Sequence, residues 1–365
     1  MTRGGPDGLV SVRSPVPREE WNSVLEGSPE ATIFHTPEWI DACCEATGLE
    51  NVSRLYETAD GARLVFPMVQ RRAPRPMLRT IRSLPDGWGF GGAVGSRRVL
   101  REDVAMMLDD LVGSSARLIV KPGPLTGGAW LAAPARQRVS HVIHIVDLRE
   151  GYGALWSHGF SSGTRNKIRK AEKRGVEVEW GSGTELVRVH WDIYLRWTIG
   201  RAKERGIPVS LGLALAKRRE SLRRFEIVAR HLGDRCQVWV ASVDGQPAAS
   251  TIVLSSGAYA HYWRSTSDQA LAGPRYANYL LLARMLEHVA EHGYEHFEMG
   301  ESGGVRSLAR FKEQFGAKPF SYEEVRFEPR IVTNAVRVRD RLLQDASDLS
   351  LKSAAHLKRM RTKIA

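Results

Sequence analysis

Between Arg165 and Arg174 the chain sets six basic residues in ten positions that otherwise read as one short helix. Thr164 is placed to cap that helix and Gly175 to end it, while Ile168 and Ala171 form its apolar stripe. Arg165 and Lys167 fall in the first turn, where the helix dipole disfavours cations. A phosphate or carboxylate bound at that end reverses the penalty. Arg169 follows Arg165 by one turn, so the two can converge on a single anion with Asn166 beside them; Lys167, Lys170 and Lys173 then extend the field. The competing reading is a solvated charged face.

Other residues have the types and spacing for chemistry. The run Ala260-His261-Tyr262-Trp263-Arg264 alternates as a strand. It sends His261 and Trp263 to one face and Tyr262 and Arg264 to the other, one of them lining a cleft. Glu301 follows the end of a short apolar strand, a place from which a carboxylate can accept a proton. Leu308, Phe311 and Phe315 share a helix face, and Lys312, about 100° round from Phe311, can point into a cleft. The loop Trp88-Gly89-Phe90-Gly91-Gly92 lacks the helix and acidic partner of a dinucleotide site; its aromatic residues Trp88 and Phe90 can instead wall a pocket. His288 and His292 match an inverted zinc-protease pattern, but Leu281, Met285 and Val289 already give that helix a core face and no third ligand follows. His141 and His144 are three apart in a strand-like run and face opposite sides. No metal is expected.

These groups need a scaffold, and 365 residues with 42% apolar content suffice for two packed domains. No run of about 18 apolar residues occurs, and Met1-Thr2-Arg3-Gly4-Gly5-Pro6 has no signal-peptide core, so the expectation is a cytoplasmic protein. The three cysteines, Cys43, Cys44 and Cys236, have neither metal nor disulfide spacing. A net charge of +12 favours an acidic partner. Residues 1–15, rich in Gly and Pro, read as disordered. A first domain is expected over 16–140, with a helix opened by Thr36-Pro37, strands at 52–57 and 62–71 joined through Asp60-Gly61, a helix at 102–112 and a strand at 117–121. A second, over 141–328, repeats the order: helices at 164–174, 184–204 and 212–232, strands at 237–243, 248–254 and 258–264, a helix at 278–292, a strand at 296–299 and a helix at 306–315. The expectation is an α+β chain of two mixed, mainly antiparallel sheets flanked by helices. Residues 329–365 read as a basic helical tail, solvated or in weak contact with RNA or a membrane surface.

A meander followed by helix, strand and helix is the core order of the GNAT acyltransferase fold. Within it, Phe34-His35-Thr36-Pro37-Glu38-Trp39, the run from Arg165 to Ala171, Asp244-Gly245-Gln246-Pro247-Ala248-Ala249-Ser250 and the run from Ser307 to Ala317 resemble the signatures of Fem-type transferases, over roughly residues 18 to 328. The resemblance implies two tandem GNAT-like domains and transfer of an aminoacyl group from aminoacyl-tRNA to an amine or hydroxyl of a peptidoglycan precursor or small metabolite. No cofactor is implied. Phe311-Lys312 matches the pair that contacts the donor's terminal adenosine in the family. On that basis Lys312, Glu301 and Tyr262 are the expected catalytic residues, and Phe311, Lys312, Arg165, Asn166 and Arg169 the donor site. Trp263, His261, Trp88 and Phe90 are the expected acceptor site. The rival is acyl-CoA as donor, usually marked by a pyrophosphate loop of pattern Gln/Arg-x-x-Gly-x-Gly/Ala. The run from Ser265 to Tyr276 does not keep that spacing and contains Pro274. A non-catalytic RNA-binding module is a further alternative, weakened because the aromatic residues do not interleave with basic ones.

Overall fold

The computed structural model of the chain describes residues 9–72, 79–112 and 117–328. The first half contains β1 (Leu9–Arg13), α1 (Arg18–Glu26), α2 (Pro37–Thr47), β2 (Glu50–Asn51), β3 (Arg54–Thr58), β4 (Arg63–Phe66), β5 (Val69–Gln70), β6 (Thr80–Arg82), β7 (Val94–Gly95), α3 (Arg101–Val112), β8 (Arg117–Val120) and α4 (Gly127–Trp130). Strand β9 (Gln137–Asp147) leads to α5 (Gly151–Ala154), a π-helical turn at Leu155–Gly159, α6 (Ser162–Lys173), β10 (Glu177–Ser182), α7 (Thr184–Arg205), α8 (Val209–Arg219) and α9 (Leu222–Leu232). The meander β11 (Cys236–Val243), β12 (Gln246–Ser256) and β13 (Tyr259–Ser267) follows, then α10 (Gln269–Arg275), α11 (Ala277–Glu291), β14 (His296–Glu301), α12 (Arg306–Glu313) and β15 (Lys318–Phe327). No helix among the described residues is long and apolar enough to cross a membrane.

The α+β expectation holds, with differences that have local causes. Residues 9–13, expected to be disordered, pair antiparallel with β3, so β1 extends a four-stranded sheet β1-β3-β4-β7. Residues 1–8 and the expected tail at 329–365 lie outside the described residues. Thr36 caps α2 as read, its hydroxyl accepting from the Trp39 N–H. Helix α6 starts earlier than expected: Ser161, not Thr164, is its N-cap, accepting from the Thr164 N–H at 3.1 Å. Gly175 ends it at φ +68°, a left-handed value that glycine adopts without a side-chain clash. The single helix read at 212–232 is two, because Glu220 turns extended and Ser221 caps α9 through the Arg224 N–H.

The larger sheet runs β10-β11-β12-β13-β14-β9-β15-β8-β6-β5-β2. Its neighbours are antiparallel except β13 with β14 and β6 with β8, so each half carries one parallel pair bridged by a helical crossover. The halves do not form separate sheets. The boundary expected at 140/141 falls inside β9, which pairs with β14 on one side and β15 on the other, and β15 in turn pairs with β8. One hydrophobic cluster also spans both halves, joining Phe34, Trp39, Trp88 and Phe90 to Phe225 and Trp263. A second packs α6 and α11 against the meander and β14.

Candidate active site

Strand β13 runs to Ser267 and β14 to Glu301, yet their pairing covers only Tyr259↔His296, Ala260↔Phe297 and His261↔Glu298. Beyond Glu298 the β14 chain turns through Gly300, at φ +70°, and its next pairing is Glu301 with Ile143 of β9. The two parallel strands part at this point. Lys312 on α12 reaches the end of β14: its side chain is buried, and its Nζ donates to the carbonyls of Gly300 (2.7 Å) and Glu301 (3.0 Å). Burial pulls its pKa down to about 8 against the opposing pull of Glu298 and Glu301. One of its three N–H bonds remains free of these carbonyls.

Phe311 stands edge-on to Tyr279 at 5.3 Å, and Lys167 of α6 donates to the Tyr279 hydroxyl at 2.9 Å. The Ser161 N–H bonds the Gln314 carbonyl at 3.0 Å, where α6 begins and α12 ends. The two segments expected to hold the donor are therefore neighbours although about 145 residues separate them in the chain.

Glu301 does not fit its expected role. Burial pushes its carboxyl up, but contacts with His141 Nδ1 (3.2 Å), Lys121 Nζ (2.6 Å) and the Tyr322 hydroxyl (2.6 Å) together hold it well below the usual carboxylate range. A carboxylate so saturated is a poor proton acceptor at neutral pH, so the geometry makes it an anchor that ties β14 to β8, β9 and β15. Tyr262 is committed as well. It lies edge-on to Phe297 beside Ser265 and Thr251, and burial raises its pKa.

Trp88, Phe90, His261 and Trp263 are brought together, but as core and not as an open acceptor pocket. Their exposures are 2%, 5%, 1% and 8%. Trp39 meets both Trp88 (5.0 Å) and Trp263 (5.4 Å), and His261 packs on Phe34 (4.6 Å) and Phe90 (5.9 Å). Gly89 lets the loop close on this cluster, since a Cβ there would lie 2.7 Å from the Phe34 ring. These contacts join the two halves.

Residues 159–313, from the turn before α6 to the end of α12, match the family described as an acetyltransferase (GNAT) domain. These residues form an acyltransferase domain of the GNAT type. No curated protein matches it by sequence. Among solved structures the acyltransferase is similar to FemX, with a TM-score of 0.61 at 11% identity over 86% of this chain and 97% of that one. It is also similar to the C-terminal domain of a putative lysylphosphatidylglycerol synthetase from Agrobacterium fabrum, with a TM-score of 0.51 at 14% identity over 82% and 95%. A conserved protein of unknown function from Bacteroides thetaiotaomicron aligns with a TM-score of 0.53 at 10% identity over 85% and 97%. At such identities the likeness is one of fold.

In this acyltransferase Arg165 and Arg169 do not converge. Arg165 Nη1 donates to the carbonyls of Trp156 (3.0 Å), Ser157 (3.2 Å) and Phe160 (2.5 Å), closing the π-helical turn from below. Arg169 lies over the Trp156 ring at 5.7 Å, and Asn166 is exposed. Arg165→Ala is accordingly expected to cost about 1.5–3 kcal/mol of stability and to leave the apparent substrate constant near the parent's. A raised constant at unchanged melting temperature would return Arg165 to anion binding. Arg169 also lines a cavity of about 410 Å³ with Tyr152, Trp156, Glu172 and Arg284. Neither this cavity nor a second of about 450 Å³ beside Trp180 and His288 is lined by Lys312 or Phe311, so both lie apart from the strand opening. No cluster of three or more His, Cys, Asp or Glu side chains among the described residues is placed to hold a metal ion.

Several contacts in the acyltransferase were not foreseen from sequence. Strand β13 carries a bulge between its pairings of Arg264 with Ile252 and Tyr262 with Val253. The bulge breaks the alternation and brings Arg264 to the Trp263 side, against expectation. There Arg264 and Arg224 both donate to the Gly87 carbonyl (2.5 and 2.6 Å) and both pair with Glu220 (3.0 and 2.9 Å). Arg224 lies 4.5 Å over the Trp88 ring and Arg264 4.7 Å over that of Trp263. His144 is buried beside Ser302 at 3.5 Å, and burial with the charge of Lys312 lowers its pKa against the opposing pull of Glu313.

Proposed function

We propose that this acyltransferase takes an aminoacyl group from aminoacyl-tRNA and passes it to the amine of a peptidoglycan precursor or small metabolite. The observation that carries the reading is α10. An acyl-CoA site needs free backbone N–H groups between the meander and the following helix to cradle the pyrophosphate. Here the Ala270 N–H is held by the Asp268 side chain, and the Leu271 and Ala272 N–H groups by the Asp268 carbonyl, while the Tyr276 N–H goes to Gly273. The similarity of the fold to FemX and to a lysylphosphatidylglycerol synthetase domain supports the same donor class.

An aminoacyl ester is already activated, so alignment and charge stabilisation carry most of the work. The acceptor nitrogen attacks the ester carbonyl, the C–N bond forms and the C–O bond to the ribose breaks. The proton lost by the amine ends on the ribose oxygen. Lys312, with its remaining N–H directed from a buried site, stabilises the oxyanion or the departing oxygen, and Phe311 with Tyr279 provides a stacking surface for the terminal base.

The match to an acetyltransferase domain favours a second reading, with acyl-CoA as donor. Transfer of label from a mixed aminoacyl-tRNA pool, with and without ribonuclease and beside labelled acetyl-CoA, separates the two. Ribonuclease-sensitive product is expected. Label arriving only from acetyl-CoA would overturn the tRNA reading and leave the fold assignment intact.

A further inference from the structure

Helix α8 carries Val209, Leu211, Leu213, Ala214, Leu215 and Ala216 in eleven residues, yet Ala216 is its only buried residue. The cause is the way it packs. Helices α7 and α8 form a hairpin turned by Gly206 at φ +66°, and the seam between them is filled by small residues: a Cβ on Gly212 would lie 3.0 Å from that of Ala202, and the Tyr194 hydroxyl reaches the Ala216 carbonyl at 3.5 Å. Leu211 and Leu215, one turn apart, are left facing outward at 50% and 57% exposure, and Trp197 on α7 is 38% exposed. Exposed aliphatic side chains in this arrangement contribute nothing to the core.

Charge around them is one-sided. From Trp197 to Arg219 the hairpin carries Arg201, Lys203, Arg205, Lys217, Arg218 and Arg219 against a single acid, Glu204. We propose that the α7–α8 hairpin docks the enzyme on an anionic lipid bilayer, with Leu211, Leu215 and Trp197 entering the interface and the basic residues meeting the lipid phosphates. Aliphatic and indole groups beside a ring of cations are the two contributions that interfacial binding adds together. Single-stranded or folded RNA would use the cations and flat aromatic faces but has no place for two outward leucines. The surface is independent of the donor, so it stands or falls apart from the tRNA reading.

The test is co-sedimentation of the full chain with vesicles of phosphatidylglycerol and phosphatidylcholine, and with phosphatidylcholine alone. The parent should bind the anionic vesicles and release as salt rises. A Leu211→Ser/Leu215→Ser variant should partition about tenfold or more weakly with an unchanged melting temperature, since neither side chain is in the core. Undiminished binding by that variant would overturn the proposal and assign any lipid contact to another segment. Absence of parent binding to anionic vesicles would overturn it too. Loss of binding to free tRNA in the variant, with vesicle binding intact, would make the hairpin an RNA surface.

Discussion

Replacing Lys312 by methionine lowers the rate of acyl transfer by about a hundred- to a thousand-fold, the usual effect of deleting one donor aimed at developing charge. The same change leaves the Gly300 and Glu301 carbonyls without their ammonium partner and should cost about 1–3 kcal/mol of stability. Melting temperature must therefore be measured beside kcat. Lys312→Arg separates charge from chemistry through pH. If the ammonium is required, activity in the parent is present below about pH 8 and falls as the pH rises through the lowered Lys312 value; in the arginine variant that alkaline fall moves out of reach. Stability has the opposite sign. Between about pH 8 and the ordinary lysine range the folded protein has released a proton that the unfolded chain still holds, so stability rises as activity declines. A methionine variant with parental kcat would remove Lys312 from the reaction.

Glu298→Ala should destabilise the joint at the site by about 1–3 kcal/mol or more, because it leaves two buried donors without their acceptor. Glu298 is buried at the last pairing of β13 with β14; it bonds His261 Nδ1 at 3.1 Å and accepts the Gly300 N–H. Removing it leaves a buried imidazole without its partner against Phe34 and frees the turn that Lys312 holds. Denaturant unfolding reads the loss directly. Glu298→Gln, which keeps an acceptor oxygen, should recover part of it. A loss under about 1 kcal/mol for the alanine variant would mean that the His261 contact is incidental to the joint between the halves.

The sequence carried the order of elements well because caps and turns are local: Thr36-Pro37, Asp60-Gly61 and Gly175 each act within a few residues. Phe311-Lys312 was legible by helical spacing together with the family resemblance. Glu301 was misread because its partners come from three distant places, Lys121 just past the end of β8, His141 on β9 and Tyr322 on β15, and β15 was not foreseen. The aromatic residues placed at an acceptor site do converge, but alternation along a strand cannot distinguish a cleft wall from an interface between halves. Arg264 was sent to the wrong face because a bulge adds a residue without leaving a pattern in composition. Arg165 was misjudged for a similar reason, since carbonyls opened by a π-helical turn have no sequence signature.

Strand β15 sits between β8 and β9, so the first half of the sheet lacks its neighbour until the chain has been made through Phe327. About 180 residues lie between the end of β9 and the end of β15, which at ribosomal speed is roughly 10–40 s of synthesis. Until β14 is made, β9 has both of its edges unpaired and β8 one, and the edges facing β15 stay open to the end of that interval; such edges are the feature most prone to association with other chains. Changes that weaken β15 are therefore expected to lower the yield of soluble protein before they lower catalysis.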